Sequence, residues 1–483
     1  DDPSLLLANA GMNQFKEYYQ GKKTMKEIGA ISCQKCVRTN DIDCIGEDGR
    51  HLSFFEMLGD FSFGGVSKQQ ACAWAFELIT KEFKLPLDRL YFTVFTEDDE
   101  THDVWRSLGV AEDHISRLGE DDNFWAAGPT GPCGPCSEIY FDMGEEVGCG
   151  SPDCKPGCDC DRFLEFWNLV FTQYDRKEDG SMPELPHRNL DTGMGLERTI
   201  CVLTGKKSVY ETDAFADILA KIGELCGKTY DPNDTENVRA FRIVADHIRT
   251  SAFMLGDPRS VNPSNVDQGY ILRRLIRRAL RYAMQLGMPE NSLSKIAETV
   301  ISDYGEVYPE LRENEARIIR ELDTEEARFQ RTLTNGMREF ERIKGKFENG
   351  IIDGKNAFRL FDTFGFPIEF TEEMARENGL TVDVEGFRAA FEEHQQKSKA
   401  GAEHKFKGGL AEATDETAKL HTATHLLQAA LRKVLDESVT QRGSNITAER
   451  FDIVRRAAGL TALLAPVAEY IAELIAELSD QKV

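Results

Sequence analysis

The sequence predicts an α+β protein: a strand-rich first part followed by a helical second part. Two observations carry this. Apolar, β-branched and aromatic runs bounded by Gly and Pro recur up to about residue 200, and from about residue 210 onward apolar residues recur at helical spacing. The 483 residues are enough for several domains and a sizeable core.

Taken in order, residues 5–15 (LLLANAGMNQF) read as a mainly extended apolar run that ends in a polar turn. Residues 33–64 read as strand, Gly-containing polar loop, strand, with Arg38 at the loop entry and Arg50 and His51 at its exit. Residues 68–83 place Ala71, Trp74, Ala75, Leu78 and Ile79 on one helical stripe, and LYFTVF at 90–95 is a strand by its β-branched and aromatic content. The segment 123–140, with GPTGPCGPC inside it, leaves room for no helix or long strand. Residues 163–174 (FLEFWNLVFTQY) form an apolar strand broken by Asn168, an amide aimed at a ligand or satisfied by nearby backbone. Helices are expected at 237–254, 268–286, 311–346 and 386–399, with an aromatic turn at 358–367 (FRLFDTFGFP), a polar linker near 395–416 and a helical tail from Thr417.

A net charge of −25 disfavours nucleic-acid binding unless a local basic face exists. No window approaches the ~20 apolar residues of a membrane span, no signal-peptide pattern opens the chain, and twelve cysteines are too few for a disulfide scaffold. A soluble cytoplasmic protein with reduced thiols is expected, its true start lying upstream of Asp1.

Four constellations carry chemistry. In DTGMGLER (residues 191–198) two glycines at alternate positions let backbone lie flat against a ligand, ahead of a helix that starts with Glu197 and Arg198. A purine with its phosphates near the arginine suits this; an ordinary tight turn is the alternative. Arg273, Arg274, Arg277, Arg278 and Arg281 fall in one sector of about 140° on their helix, with no acid at i±3 or i±4. Phosphate contact is preferred over a salt-bridged solvated face. Cys149, Cys154, Cys158 and Cys160, separated by Gly and Pro, form a knuckle able to wrap a structural Zn²⁺. The CxxC pairs Cys33/Cys36 and Cys133/Cys136 read as small buried residues in tight turns. Finally, His421 and His425 share a helix face and make half a zinc site.

The stretches NAGMNQF, CVR, FFEMLGDFSFG, NFWAAGPTGPCGPCSEIYFD, WNLVFTQY, DTGMGLER, ADHIR, GYILRRLIRRALR, FDTFGFP and HTATHLL stand here in the order in which alanyl-tRNA synthetases carry them. The chain resembles that family over about residues 1–450. The resemblance implies a class II synthetase antiparallel sheet flanked by helices (residues 1–225) and a helical tRNA-recognition domain (226–399). A linker (400–416) and a partial, divergent editing segment (417–483) would follow. It implies ATP with Mg²⁺, L-alanine and tRNA(Ala) as ligands and partners, with no membrane and no DNA. Arg38 would hold the α-phosphate and Arg198 the γ-phosphate, while Gly193 and Gly195 line the adenine and Arg50, His51, Phe55 and Met57 complete the ATP site. Trp125, Asn168, Val170 and Asp191 would form the alanine pocket, Asp191 taking the ammonium group. Many family members carry a lysine in a longer loop after the Arg38 position, and here Thr39-Asn40-Asp41 goes straight on. In the editing site of the family a Cys and a His downstream of HxxxH complete the zinc ligands; here the last cysteine is Cys226 and the last histidine His425, so no clearance of Ser-tRNA is expected. A non-catalytic tRNA-binding paralogue and a hydrolase of mischarged tRNA are the rival readings.

Overall fold

The computed structural model describes residues 5–405, apart from residues 28, 127, 260 and 348, together with the strands Gly409–Leu410, Gln441–Ile446 and Phe451–Arg455. The chain divides into two compact units, residues 1–337 and 338–483.

The first unit is built on an eight-stranded sheet: β1 (Gly29–Val37), β2 (Phe54–Ser62), β3 (Leu90–Phe95), β4 (Ile115–Leu118), β5 (Phe124–Ala126), β6 (Gly131–Asp142), β7 (Phe163–Arg176) and β8 (Glu184–Gly195). Its order is β1-β2-β8-β7-β6-β3-β4, with β5 paired to β6. Every pairing is antiparallel except β3 with β4. The expected strand–loop–strand at 33–64 is β1 and β2, and DTGMGLER carries β8 into the helix Leu196–Thr204.

Two local expectations are corrected. The polar turn expected at the end of the opening run is a 3₁₀ helix, Gly11–Phe15, whose buried Met12 and Phe15 pack with Tyr19, Cys36 and Phe61. The Gly-Pro-rich segment forms the 12-residue β6. A register shift between Cys133 and Cys136 takes Gly134 and Pro135 out of the β7 ladder, while β5 pairs with them along the opposite edge of β6. A Cβ on Gly134 would come within 2.1 Å of the Phe171 carbonyl oxygen, so only glycine lets the strands approach there. Accordingly Cys36, Cys133 and Cys136 are buried in strands rather than turns, and Cys33 is exposed on β1.

The helix Val238–Gly256 runs through the core of this unit, with all residues from Ala240 to Gly256 buried. Phe253 stacks on Phe54 at 4.1 Å, and Arg249 donates to the Phe54 carbonyl at 3.0 Å and pairs with buried Glu197. This is what the ADHIR stretch does: it clamps β2 to the start of the helix after β8. The unit therefore continues well past residue 225, the expected end of the first domain. Among the described residues no helix is long and apolar enough to cross a membrane.

In the second unit the helices Gly354–Phe364, Ile368–Glu377 and Val384–Lys405 accompany a two-stranded parallel pair, Ile351–Ile352 with Thr381–Val382. The FDTFGFP stretch is mostly the end of the first of these helices rather than a turn; Gly365 closes it with φ 63°, and Phe358 and Phe361 pack against Phe387 and Phe391 in tilted and edge-to-face contacts. The third helix continues to Lys405, into the expected linker, and the tail contains the antiparallel strands Gln441–Ile446 and Phe451–Arg455 where helix was expected. His421 and His425 lie outside the described residues.

Candidate active site

Strand register brings the distant motifs together. Across β7 and β8, Val170 stands opposite Asp191 and Asn168 opposite Gly193, while Gly195 stands opposite Met57 of β2. These residues open onto a cleft of about 660 Å³. Arg38, Arg50, His51, Phe55, Met57, Trp125, Asn168, Val170, Asp191, Gly193, Gly195 and Arg198 all line it.

The two glycines are not equivalent. A Cβ on Gly193 would sit 3.0 Å from the Met57 sulfur, whereas one on Gly195 meets only the flexible Arg198 side chain at 3.6 Å. A side chain at Gly193 would thus require Met57 to shift, whereas Gly195 has room for one.

Two kinds of charge face the cleft. Arg38 lies 5.0 Å from the Phe55 ring centroid, and its Nε reaches the Asn9 carbonyl only at 3.4 Å. Arg198 donates to the Glu165 carbonyl at 2.8 Å and to its carboxylate at 2.9 Å. Asp191 is 6% exposed, and burial alone raises its carboxyl to about 7. An arriving cation would stabilise the carboxylate that burial disfavours. Asn168 donates from Nδ2 to Glu138 at 3.1 Å, while its buried Oδ1 has no hydrogen-bond partner. Two acceptors, Asp191 and Asn168, therefore stand two register positions apart on one wall.

Glu138 and Glu165 also line the cleft and were not singled out from the sequence. Burial, reinforced by the charge of Glu165, raises Glu138 to about 8, against the opposing hydrogen bond from Tyr140 at 2.6 Å. Strict alternation puts Glu165 and Asn168 on opposite faces of β7. A register shift, in which Ile139 pairs with Trp167 but Tyr140 with Glu165, skips Phe166 and brings Glu165 round to the cleft. The missed signal was a carboxylate inside each of two apolar strands.

Beside the cleft, the sulfurs of Cys149, Cys154, Cys158 and Cys160 all lie within 4.8 Å of one another, with Cys154–Cys160 at 3.4 Å and Cys149–Cys158 at 3.8 Å. Four Zn–S bonds of about 2.3 Å in a tetrahedron put sulfurs roughly 3.8 Å apart, so the donor set fits zinc. Burial raises the Cys160 thiol, but the backbone N–H of Arg162 and the neighbouring Cys154 outweigh it and hold Cys160 down to about 7.

The arginine helix, Asp267–Leu286, departs from expectation. Its five guanidiniums do not form an open face. Arg278 and Arg281 are 2% and 3% exposed; Arg278 donates to the Ile42 carbonyl at 2.7 Å and meets His247 at 3.0 Å. Arg273 and Arg277 share the buried Glu325 at 3.2 and 2.8 Å, and Arg274 pairs with Asp43 at 2.7 Å. The acids missing from the helix itself are supplied by other elements. Arg274 and Arg278, together with Arg242, which donates to the Asp48 carbonyl at 2.9 Å, grip the loop between β1 and β2.

The family described as tRNA synthetases class II (A) matches residues 1–450. The alanine–tRNA ligase of Treponema pallidum (strain Nichols) is 48% identical over 461 residues, 93% of this chain and 76% of that protein. The alanine–tRNA ligase of Treponema denticola is 48% identical over 462 residues, again 93% of this chain and 76% of the relative. That of Borreliella afzelii (strain PKo) is 46% identical over 465 residues, 94% and 78% of the two chains.

Proposed function

The chain belongs to the tRNA synthetases class II (A), and from that premise we propose that it is an alanine–tRNA ligase. It activates L-alanine with ATP to alanyl-adenylate and passes the alanyl group to the 3′ end of tRNA(Ala). The observation that carries this reading is the convergence of twelve residues from separate motifs on a single cleft.

In this reading Asp191 takes the alanine ammonium, with Asn168, Val170 and Trp125 closing round the methyl group. Gly193 and Gly195 offer flat backbone to the adenine, and Phe55, Met57, Arg50 and His51 complete the ATP side. Attack of the alanine carboxylate on the α-phosphate builds negative charge there. Arg38, held by weak partners, swings to that charge, and Arg198 exchanges Glu165 for the γ-phosphate. Acyl transfer then requires little beyond positioning of a ribose hydroxyl. Glu138 and Glu165 are the carboxylates able to hold Mg²⁺, which would neutralise phosphate charge.

Cys149, Cys154, Cys158 and Cys160 would hold a structural Zn²⁺, since four thiolates would leave no open position. Of the arginine helix, Arg274 is the tRNA-phosphate candidate, because its partner Asp43 is 58% exposed and can be replaced. Alanine-dependent exchange of pyrophosphate into ATP tests the central claim; a purified chain that exchanges with no amino acid dependence sinks it.

A further inference from the structure

Resting on the zinc reading above, we infer that the cysteine knuckle braces the ATP side of the cleft: its metal fixes the backbone on which Arg50 and, through Asp48, His51 are mounted. Arg50 donates through one terminal nitrogen to the Cys160 carbonyl and through the other to the Asp159 carbonyl at 2.9 Å. The Gly49 N–H donates to the Asp161 carboxylate at 3.1 Å. Asp48 then receives the backbone N–H groups of Arg50 and His51 at 3.1 and 2.9 Å and pairs with the His51 ring. Cys160 is thus both a metal ligand and the acceptor for a cleft residue.

What fixes those two carbonyls is the metal. Between Ser151 and Cys160 the chain has no helix or strand, and Pro156 alone is buried. A segment with so little packing has low local stability, and metal binding supplies its ordering free energy. The flanking strands do not share this dependence. Arg162 pairs with Asp142 at 3.0 and 3.1 Å and its carbonyl accepts from the Met143 N–H at 2.7 Å, closing the base of the loop below the knuckle. The alanine wall hangs from β5, β7 and β8 and makes none of these contacts. Metal loss should therefore weaken ATP binding and spare alanine binding.

The test uses the full chain, with zinc measured by elemental analysis and ATP and alanine affinities measured separately by calorimetry before and after chelation. About one zinc per chain is expected. Its removal should weaken ATP binding roughly tenfold, with recovery on adding zinc back and alanine binding unmoved. Arg50→Ala combined with Asp161→Ala should keep the zinc, bind ATP more weakly, and lose nothing further on chelation. Absence of zinc from fresh protein overturns both the metal reading and the brace. Zinc present, but with ATP affinity unchanged on its removal, or equally weakened in wild type and double variant, overturns the brace alone. Should chelation unfold the wild type, the double variant decides: zinc retained with wild-type ATP affinity refutes the coupling.

Discussion

Arg38 and Arg198 on one side, and the five arginines of the Asp267–Leu286 helix on the other, sit in the same unit with opposite surroundings. Arg38 rests on an aromatic ring and a long contact to one carbonyl. Arg198 holds a single carboxylate that is itself one-third exposed. On the helix, Arg273 and Arg277 instead share Glu325, 2% exposed, and Arg278 donates to a buried backbone carbonyl, while Arg274 meets the exposed Asp43. The difference lies in the acceptors, not in the density of positive charge. A guanidinium serves a ligand when its resting partners are few and wet; it serves the fold when they are buried, because leaving them unpaired then costs the full desolvation of the partner.

The largest effects should come from the cleft. Arg38→Ala and Arg198→Ala are each expected to lower alanine-dependent pyrophosphate exchange by roughly 10²–10³, while the melting temperature stays close to wild type. Wild-type exchange in either variant would break the contrast. Asp191→Asn should follow, lowering kcat/KM for alanine by roughly 10², the scale of a charged hydrogen bond lost in a dry site. Its pH signature is specific. Burial raises Asp191 to about 7 in the free protein, so the alanine KM should rise as pH falls below about 7, with the KM for ATP unaffected. The stability sign is the reverse. A carboxyl raised on folding makes the native state bind more protons than the unfolded chain, so stability is lost as pH rises from about 4 to 7. Asp191→Asn should therefore melt higher than wild type at pH 8, and a lower melting temperature there would refute the burial argument.

The same acceptor logic explains what could be read from the chain alone. Strands β2, β3 and β7 were legible because their apolar runs report burial directly, and Asn168 because a polar group stands inside such a run, whereas Asp191 and Arg198 were legible through the DTGMGLER stretch and the family it resembles. Glu165 was not, since the bulge that turns it towards the cleft depends on pairing with β6. The strand character of β6 was hidden because the bulge that takes Gly134 and Pro135 out of the ladder depends on pairing with β7, which is distant in sequence. The arginine helix was placed correctly, but its wheel cannot register Asp43 and Glu325, which lie 231 and 48 residues from their partners. Long-range partners decide such cases, and a local window contains none of them.

Within the helix the contrast can be graded further. Arg277→Ala leaves Glu325 with Arg273 as remaining partner and should cost about 1–2 kcal/mol of stability. Removing Arg273 as well strands a buried carboxylate and should cost about 3–5 kcal/mol. Denaturant titration of the single and double variants measures this, and additive small losses would mean that Glu325 is solvated after all.

The smallest effect separates structure from function most sharply. Arg274 pairs with an Asp43 that is 58% exposed, so Arg274→Ala should change stability by no more than ~1 kcal/mol. For the same reason a tRNA phosphate can displace Asp43 at little cost, which it cannot do at Arg278 or Arg277. The variant should then bind tRNA(Ala) more weakly, with the slope of log affinity against log salt reduced by about one, and leave pyrophosphate exchange untouched. Asp43→Asn, which frees the same guanidinium, should move affinity the other way. If neither variant alters tRNA affinity or its salt slope, Arg274 joins Arg278 as part of the clamp on the β1–β2 loop.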